Sequence, residues 1–303
     1  MLRDPEQRYT SSMSPDANPA WAWCDGRIMP FSEARVPIED RGLQFGESLY
    51  EVVAVIEGEP FRLPDHVERM RRGAAELGVE SGVPDLGRFR NVLSLLHHRE
   101  PHPAALLYAQ VTGGSAPRRI VPAEPPRPFF FAYLRPFAFP TPVEISRGIP
   151  AVTAPDPRWQ RRDLKTTMLL PAVMARRLAG SRGAEEVIFI GQDGFASEGA
   201  SSTLFAVHNR AVSTPPSNQR ILDGVSAKVV AEICGELGVT FAHRPITLSD
   251  LRRAEEVFVA STSLLLMPVV RLDGSPVGAG TAGSVTLQLA YHFQRQFWGA
   301  RQP

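Results

Sequence analysis

Leu49-Tyr50-Glu51-Val52-Val53-Ala54-Val55-Ile56-Glu57-Gly58-Glu59-Pro60-Phe61-Arg62-Leu63-Pro64-Asp65 passes from strand to turn to strand to helix. Its opening run alternates and is rich in β-branched side chains, which predicts a strand, and Glu57-Gly58 turns the chain into a second strand over 60–63. Pro64-Asp65 then opens a predicted helix whose apolar positions Val67, Met70, Ala74 and Leu77 share one face, and Gly78 closes it. Towards the N-terminus, Asp25-Gly26 supplies a hairpin turn between strands over 21–24 and 27–31. Towards the C-terminus, a helix over 86–98 and strands over 104–111 and 128–134 complete a small α+β unit.

Eleven prolines fall between Pro117 and Pro157. Proline removes donors and resists both helix and central strand, so a loop is expected at 114–127 and a domain linker at 135–142. Beyond it the pattern predicts a helix over 167–180, a strand over 185–190, a turn at Asp193-Gly194 and a strand over 203–207. A helix over 225–237, a short strand at 240–243, a helix over 249–254, strands over 256–261 and 267–272, and a helix over 283–297 follow. A chain of 303 residues is long enough to split into two cores. The expected organisation is a disordered leader over 1–20, a small α+β domain over 21–134, the linker, and a larger second domain over 143–303.

Basic and acidic residues balance at 33 against 32. A nucleic-acid partner needs a basic surplus to displace counterions, and none exists. The longest apolar runs, such as 129–134, fall well short of the roughly 18 residues of a membrane helix. Cys24 and Cys234 are the only cysteines and form no CxxC pair, which argues against disulfides or a thiolate metal site and for a reducing, cytoplasmic compartment. The first twenty residues lack an apolar core of the secretory kind. His97, His98 and His102 lie close together without acidic support, so no metal is expected.

Only two of the 33 basic residues are lysine, Lys165 and Lys228. Arginine keeps its proton in proteins, whereas a lysine amine can lose it and become a nucleophile. In Arg158-Trp159-Gln160-Arg161-Arg162-Asp163-Leu164-Lys165-Thr166-Thr167, Lys165 reads either as a cation at a helix start or as a Schiff-base amine prepared by flanking arginines. A helix N-terminus disfavours a cation, which points to the second reading. Asp193-Gly194-Phe195-Ala196-Ser197-Glu198-Gly199-Ala200-Ser201-Ser202 is either an ordinary acidic hairpin or a carboxylate, Glu198, beside a glycine that lets a flat group approach. Leu222-Asp223-Gly224-Val225-Ser226-Ala227 leads into a helix, so Val225 and Ser226 offer a phosphate seat. Ala260-Ser261-Thr262-Ser263 adds hydroxyls at a strand end. Both stretches also serve commonly as caps and turns, and no GxGxxG, GxxxxGK or GxSxG motif is present. Amine, acid, helix-start cradle and hydroxyls together match the needs of pyridoxal phosphate.

Four motifs, Ile38-Glu39-Asp40-Arg41-Gly42-Leu43-Gln44-Phe45-Gly46-Glu47-Ser48-Leu49-Tyr50-Glu51, Phe61-Arg62-Leu63-Pro64-Asp65-His66-Val67-Glu68-Arg69, Arg162-Asp163-Leu164-Lys165 and Ser197-Glu198-Gly199-Ala200-Ser201-Ser202-Thr203, carry a family resemblance. In order and spacing the chain resembles the fold-type IV (class IV) pyridoxal-phosphate aminotransferases over about residues 21–297, and within them the D-amino-acid aminotransferases. The resemblance implies a two-domain α+β fold with a small α/β domain and a larger β-barrel-like domain with helices. It also implies a homodimer in which a loop from the neighbouring subunit reaches over the active site. Lys165 is then the Schiff-base lysine and proton shuttle, and Glu198 the partner of the pyridine nitrogen. Arg69 grips the phosphate, Val225, Ser226 and Thr262 complete its cup with Ser261 alongside, Leu222 packs on the ring, and Ser201 lies close to the cofactor.

The same resemblance assigns Tyr50, Tyr108 and Arg118 to the substrate pocket. Ser115-Ala116-Pro117-Arg118-Arg119-Ile120 corresponds to a segment in which an Arg-x-His pair traps the substrate α-carboxylate. Arg118 fits the arginine, Ile120 replaces the histidine, and Arg119 either compensates or faces solvent. The implied reaction moves an amino group between a D-amino acid such as D-alanine and a 2-oxo acid such as 2-oxoglutarate. Branched-chain or (R)-amine transamination and aminodeoxychorismate lysis are the alternatives within the family. A non-catalytic pyridoxal-phosphate-binding dimer is the alternative outside enzymes.

Overall fold

The computed structural model describes residues 18–299, so positions 1–17 of the expected leader lie outside the described residues. The chain gathers into two compact units, one running to Ala138 and including Leu164–Met168, the other made of Phe139–Asp163 and the residues from Leu169 onward.

The first unit contains β1 (Trp21–Cys24), β2 (Arg27–Pro30), α1 (Arg41–Phe45), β3 (Ser48–Ile56), β4 (Glu59–Pro60), α2 (Leu63–Leu77), α3 (Leu86–Arg99), β5 (Ala104–Thr112) and β6 (Phe129–Pro136). Its six strands run in the order β2-β1-β6-β5-β3-β4. Every neighbouring pair is antiparallel. Alternation along β5 and β6 sends Leu107, Val111, Phe130 and Leu134 to one face. There they meet Val67, Met70 and Ala74 of α2 and Phe89, Val92 and Leu96 of α3 in one core. The predicted stripe on α2 is therefore the buried one. The strand expected over 60–63 shrinks to Glu59–Pro60, because Arg62 adopts a left-handed conformation (φ 57°) and starts the helix.

The second unit contains α4 (Pro142–Arg147), β7 (Ile149–Pro155), α5 (Leu170–Ser181), β8 (Glu186–Ile190), β9 (Ala196–Gly199), β10 (Thr203–His208) and β11 (Ala211–Thr214). It continues with α6 (Val225–Glu236), β12 (Phe241–His243), α7 (Leu248–Arg253), β13 (Glu256–Ser261), β14 (Leu265–Leu272), β15 (Ser275–Pro276) and α8 (Ser284–Trp298). Its sheet runs β12-β11-β10-β13-β14-β7-β8-β9, with β15 paired to β14. β7 lies parallel to both β14 and β8. β8, β10 and β13 are buried along nearly their whole length, the pattern of strands covered on both faces.

The linker expected over 135–142 narrows to residues 137–141, because β6 continues to Pro136 and α4 begins at Pro142 behind a Thr141–Glu144 capping box, and the two units divide within it, between Ala138 and Phe139. Two expectations are corrected. The proline density between Pro117 and Pro157 concealed β7. Pro150 and Pro155 stand at the two ends of that strand, and the pairing with β14 shifts register beside Pro150, where a missing donor is tolerated. Finally, Leu164–Met168 clusters with the first unit, not with the domain expected over 143–303.

Candidate active site

Lys165 is held by backbone pairing alongside β3. The Tyr50 amide donates to the Lys165 carbonyl at 3.0 Å, the Thr167 amide to the Ser48 carbonyl at 3.2 Å, and Leu49 and Thr166 form an antiparallel bridge. The helix expected from 167 starts only at Leu170, so Lys165 is no helix-start residue and the dipole argument does not apply to it. Its Nζ lies 4.4 Å from the centroid of the Tyr50 ring. Tyr50 stacks on Tyr108 (5.7 Å, 19°) and Tyr108 on Tyr133 (5.1 Å, 18°), giving an aromatic wall on the sheet face opposite α2 and α3. Burial, with the neighbouring tyrosines, pushes the Tyr108 hydroxyl upwards, so it stays protonated and donates to Gln110 Oε1 at 2.6 Å.

Arg69 stands on α2 one turn beyond His66, and both face Glu51 of β3. Arg69 donates through Nε and Nη2 to the two Glu51 oxygens, each at 2.7 Å, and His66 Nδ1 lies 2.7 Å from Glu51 Oε2. All three side chains are buried. Burial opposes a charge on Glu51, but Arg69 and His66 outweigh it and hold the carboxyl at about 2. For His66, burial wins over the pull of Glu51 and lowers its pKa, leaving a neutral imidazole that donates from Nδ1. The fork is thus fixed before any ligand arrives. Arg118 is exposed on the loop after β5, with its guanidinium 5.2 Å from the Phe45 ring centroid. Ile120, three-quarters exposed, lies on the same loop.

In the second unit, Glu198 of β9 is buried, and both of its oxygens are engaged. Oε1 accepts from Arg158 Nη1 at 2.5 Å and Oε2 from the Leu222 amide at 3.2 Å. Burial pushes the Glu198 carboxyl up against the opposing pull of Arg158. Arg158 also grips Asp156 through Nε (2.9 Å) and Nη2 (2.8 Å), and Ser197 Oγ donates to Asp156 at 2.8 Å. Arg162 pairs with Asp156 and Arg161 with Asp163. The arginines read from the sequence as a ring around Lys165 are therefore engaged with carboxylates of the second unit.

Ser201 is exposed on the turn between β9 and β10. The buried Glu186 organises this turn, accepting from the Ala200 amide at 3.3 Å and from Ser202 Oγ at 2.9 Å. A Cβ at Gly199 would run into Ser202 Oγ and crowd the Ser202 carbonyl, so the tight turn favours glycine there. At the head of α6, Gly224 is an N-cap without a side-chain acceptor, and the Ala227 and Lys228 amides bond to its carbonyl. Among the described residues the Val225 and Ser226 amides have no acceptor, so two donors and the helix dipole are open to an anion. Ser261 Oγ accepts from the Leu264 amide at 3.1 Å in the turn joining β13 to β14, where Thr262 is half-buried.

The structure brings Lys165, Tyr50 and Tyr108 together in the first unit, with Arg69 fixed from the adjacent strand position and Arg118 on the loop. It brings Glu198 and Leu222 together in the second, which also carries Ser201, Val225, Ser226, Ser261 and Thr262. Sequence reasoning gave no role to Glu51, His66, Asp156 or Arg41, and placed Arg158 beside Lys165 rather than on Glu198. The three-residue spacing of His66 and Arg69 on one helix face was the available signal for one of these groups. Among the described residues no group of three His, Cys, Asp or Glu could hold a metal ion, and no helix is long and apolar enough to cross a membrane.

This chain belongs to the class IV amino-transferase family, whose model matches residues 48–272, and it is an aminotransferase of fold type IV. The D-alanine aminotransferase of Bacillus licheniformis is 35% identical to it over 262 residues, covering 86% of this chain and 92% of that one. The D-alanine aminotransferase of Staphylococcus haemolyticus is 34% identical over 273 residues, covering 89% and 95%. Among solved structures, the branched-chain amino acid aminotransferase of Escherichia coli has the same fold, with a TM-score of 0.84 at 22% identity over 93% of this chain and 95% of that one. The branched-chain amino acid aminotransferase of Thermobaculum terrenum, solved in its PLP form, gives a TM-score of 0.81 at 20% identity over 92% and 94%.

Proposed function

We propose that this aminotransferase uses pyridoxal phosphate to move an amino group between a D-amino acid and a 2-oxo acid. The observation that carries the reading is Lys165, one of two lysines in the chain, pinned by its backbone to β3 with its amine over Tyr50. The donor set fits the cofactor: a lysine amine, a buried arginine fork, two amides without acceptors at a helix start, and a carboxylate whose burial favours sharing a proton. Named D-alanine aminotransferases at 34–35% identity support the D-amino-acid substrate.

When bound, pyridoxal phosphate supplies an aldehyde that joins amines and a ring that accepts electrons. Lys165 would hold the cofactor through its amine, and its Nζ would accept the substrate α-proton and return it. Glu198 would pair with the ring nitrogen, with Arg158 and the Leu222 amide keeping the carboxylate in place. Arg69, the Val225 and Ser226 amides, Ser261 and Thr262 would bind the phosphate. Leu222 and Ser201 would flank the cofactor, while Tyr50, Tyr108 and Arg118 would orient the substrate. The working form is a cytoplasmic homodimer.

The protein loaded with pyridoxal phosphate and mixed with D-alanine and 2-oxoglutarate is expected to yield pyruvate and glutamate. Activity on L-leucine or (R)-amines with none on any D-amino acid would overturn the substrate assignment. Ile120→His restores the second donor of the Arg-x-His pair. A hydrogen bond to a charged group contributes about 1.5–3 kcal/mol, so the variant is expected to gain about tenfold or more in kcat/KM for D-alanine. Steady-state rates on D-alanine check this, and an unchanged kcat/KM counts against a donor role at position 120.

A further inference from the structure

We propose that Arg41 is a positioning residue that presents Arg118 to the substrate by clamping the loop that carries it. The inference rests on the reading of Arg118 as the carboxylate anchor. Arg41 opens the five-residue helix α1 and is only 5% exposed, so its buried guanidinium needs hydrogen-bond partners. It finds them chiefly on one loop: Nη1 donates to the Arg119 carbonyl at 2.8 Å and Nη2 to the Ile120 carbonyl at 2.9 Å, while Nε pairs with Glu47 at 2.5 Å. Two consecutive carbonyls immediately after Arg118 are thus held by one planar fork, a task that a lysine point charge cannot reproduce.

The other limb of the loop is fastened to the same helix and to the turn that follows it. The Arg41 amide donates to the Gly114 carbonyl at 2.9 Å, and the Gly113 amide to the Glu47 carbonyl at 2.9 Å. Asp40, fully buried, caps α1 through the Gly42 and Leu43 amides and accepts from Thr112 Oγ1 at 2.6 Å; that hydroxyl in turn accepts from the Gly114 amide. Asp40 also forms an isolated bridge with Ser115. Between the two fastened limbs stands Arg118. Its guanidinium lies over Phe45, the last residue of α1, whose ring also receives Arg41 at 4.8 Å. A cation over an aromatic face keeps its hydrogen-bonding edge outward, which suits an arginine that must meet a carboxylate.

Arg41→Met, Arg41→Lys and Arg118→Met, each in the holoenzyme, test the clamp by two measurements. Limited trypsin digestion followed by peptide mass mapping reports how readily the bonds after Arg118 and Arg119 are cut; steady-state kinetics with D-alanine report KM and kcat. Arg41→Met is expected to speed nicking after both arginines by about tenfold and to raise KM by about tenfold with kcat nearly unchanged, as lost positioning of a binding group requires. Arg41→Lys is expected to fall between Arg41→Met and the parent. Arg118→Met is expected to raise KM similarly while the bond after Arg119 stays protected. Nicking and KM at parental values in Arg41→Met overturn the proposal. So does a loss of kcat in step with a fall in melting temperature, which marks a merely structural residue. An unchanged KM in Arg118→Met instead overturns the anchor reading, and the nicking rate still decides the clamp.

Discussion

Lys165→Ala is expected to abolish transamination, with a loss of about 10⁴-fold or more, while the fold persists. The backbone bonds that align this segment with β3 use the Tyr50 amide and the Lys165 carbonyl, which alanine retains. The Leu164 anchor in the first core is untouched. What disappears is the amine that binds the cofactor and moves the proton, and positioned proton transfer alone contributes about 10²–10⁴-fold. Borohydride reduction of the parent followed by mass mapping is expected to mark the peptide carrying Lys165. Lys228 provides the control: it pairs with Asp223 at 3.7 Å on the exposed side of α6, so Lys228→Arg is expected to keep both activity and label. Turnover surviving in Lys165→Ala, or a label on Lys228, would remove the basis of the proposed chemistry.

Glu51→Gln is expected to be the most destabilising of the polar substitutions in the first unit. Removing one partner of a buried ion pair leaves the other charge uncompensated, at a cost of about 3–5 kcal/mol. Arg69 would stay buried facing a neutral amide. The pH dependence gives an independent signature. The Glu51 carboxyl falls from an ordinary 4.5 to about 2 in the folded protein, which corresponds to stabilisation on the order of 3 kcal/mol. Because the folded value is the lower one, that contribution is complete above the unfolded carboxyl range and fades as pH falls towards 2. Urea unfolding of the parent is therefore expected to lose stability between roughly pH 5 and 2, with a shallower loss in Glu51→Gln. Parallel pH profiles for the two proteins would show that the pair carries no such linkage.

Much of the first unit is legible in the residues because its signals are local. Alternation along 104–111 and the stripe Val67, Met70, Ala74 belong to elements buried on one face only, and both fall where expected. The central strands of the second unit read less clearly. β7 carries prolines at both ends and β11 is four residues long, so neither shows a period, and their pairing partners supply what the local pattern lacks. α1 escaped notice for a similar reason: five residues cannot display a helical repeat, and the helix persists because Asp40 caps it and Arg41 ties it to a distant loop. Lys165 was legible through its rarity, yet its surroundings were not. Residues close in sequence suggested flanking arginines, whereas the structure gives it Tyr50 and a place along β3.

The order of motifs along the chain determined the family, the two-unit α+β plan and the residue types available for chemistry, because each is written in contiguous residues. Tertiary structure alone decided which groups act together: Glu51 with Arg69 and His66, Asp156 with Arg158 and Glu198, Arg41 with the carbonyls after Arg118. Buried charges must find partners wherever folding delivers them, and a partner distant in sequence leaves no periodic trace in it.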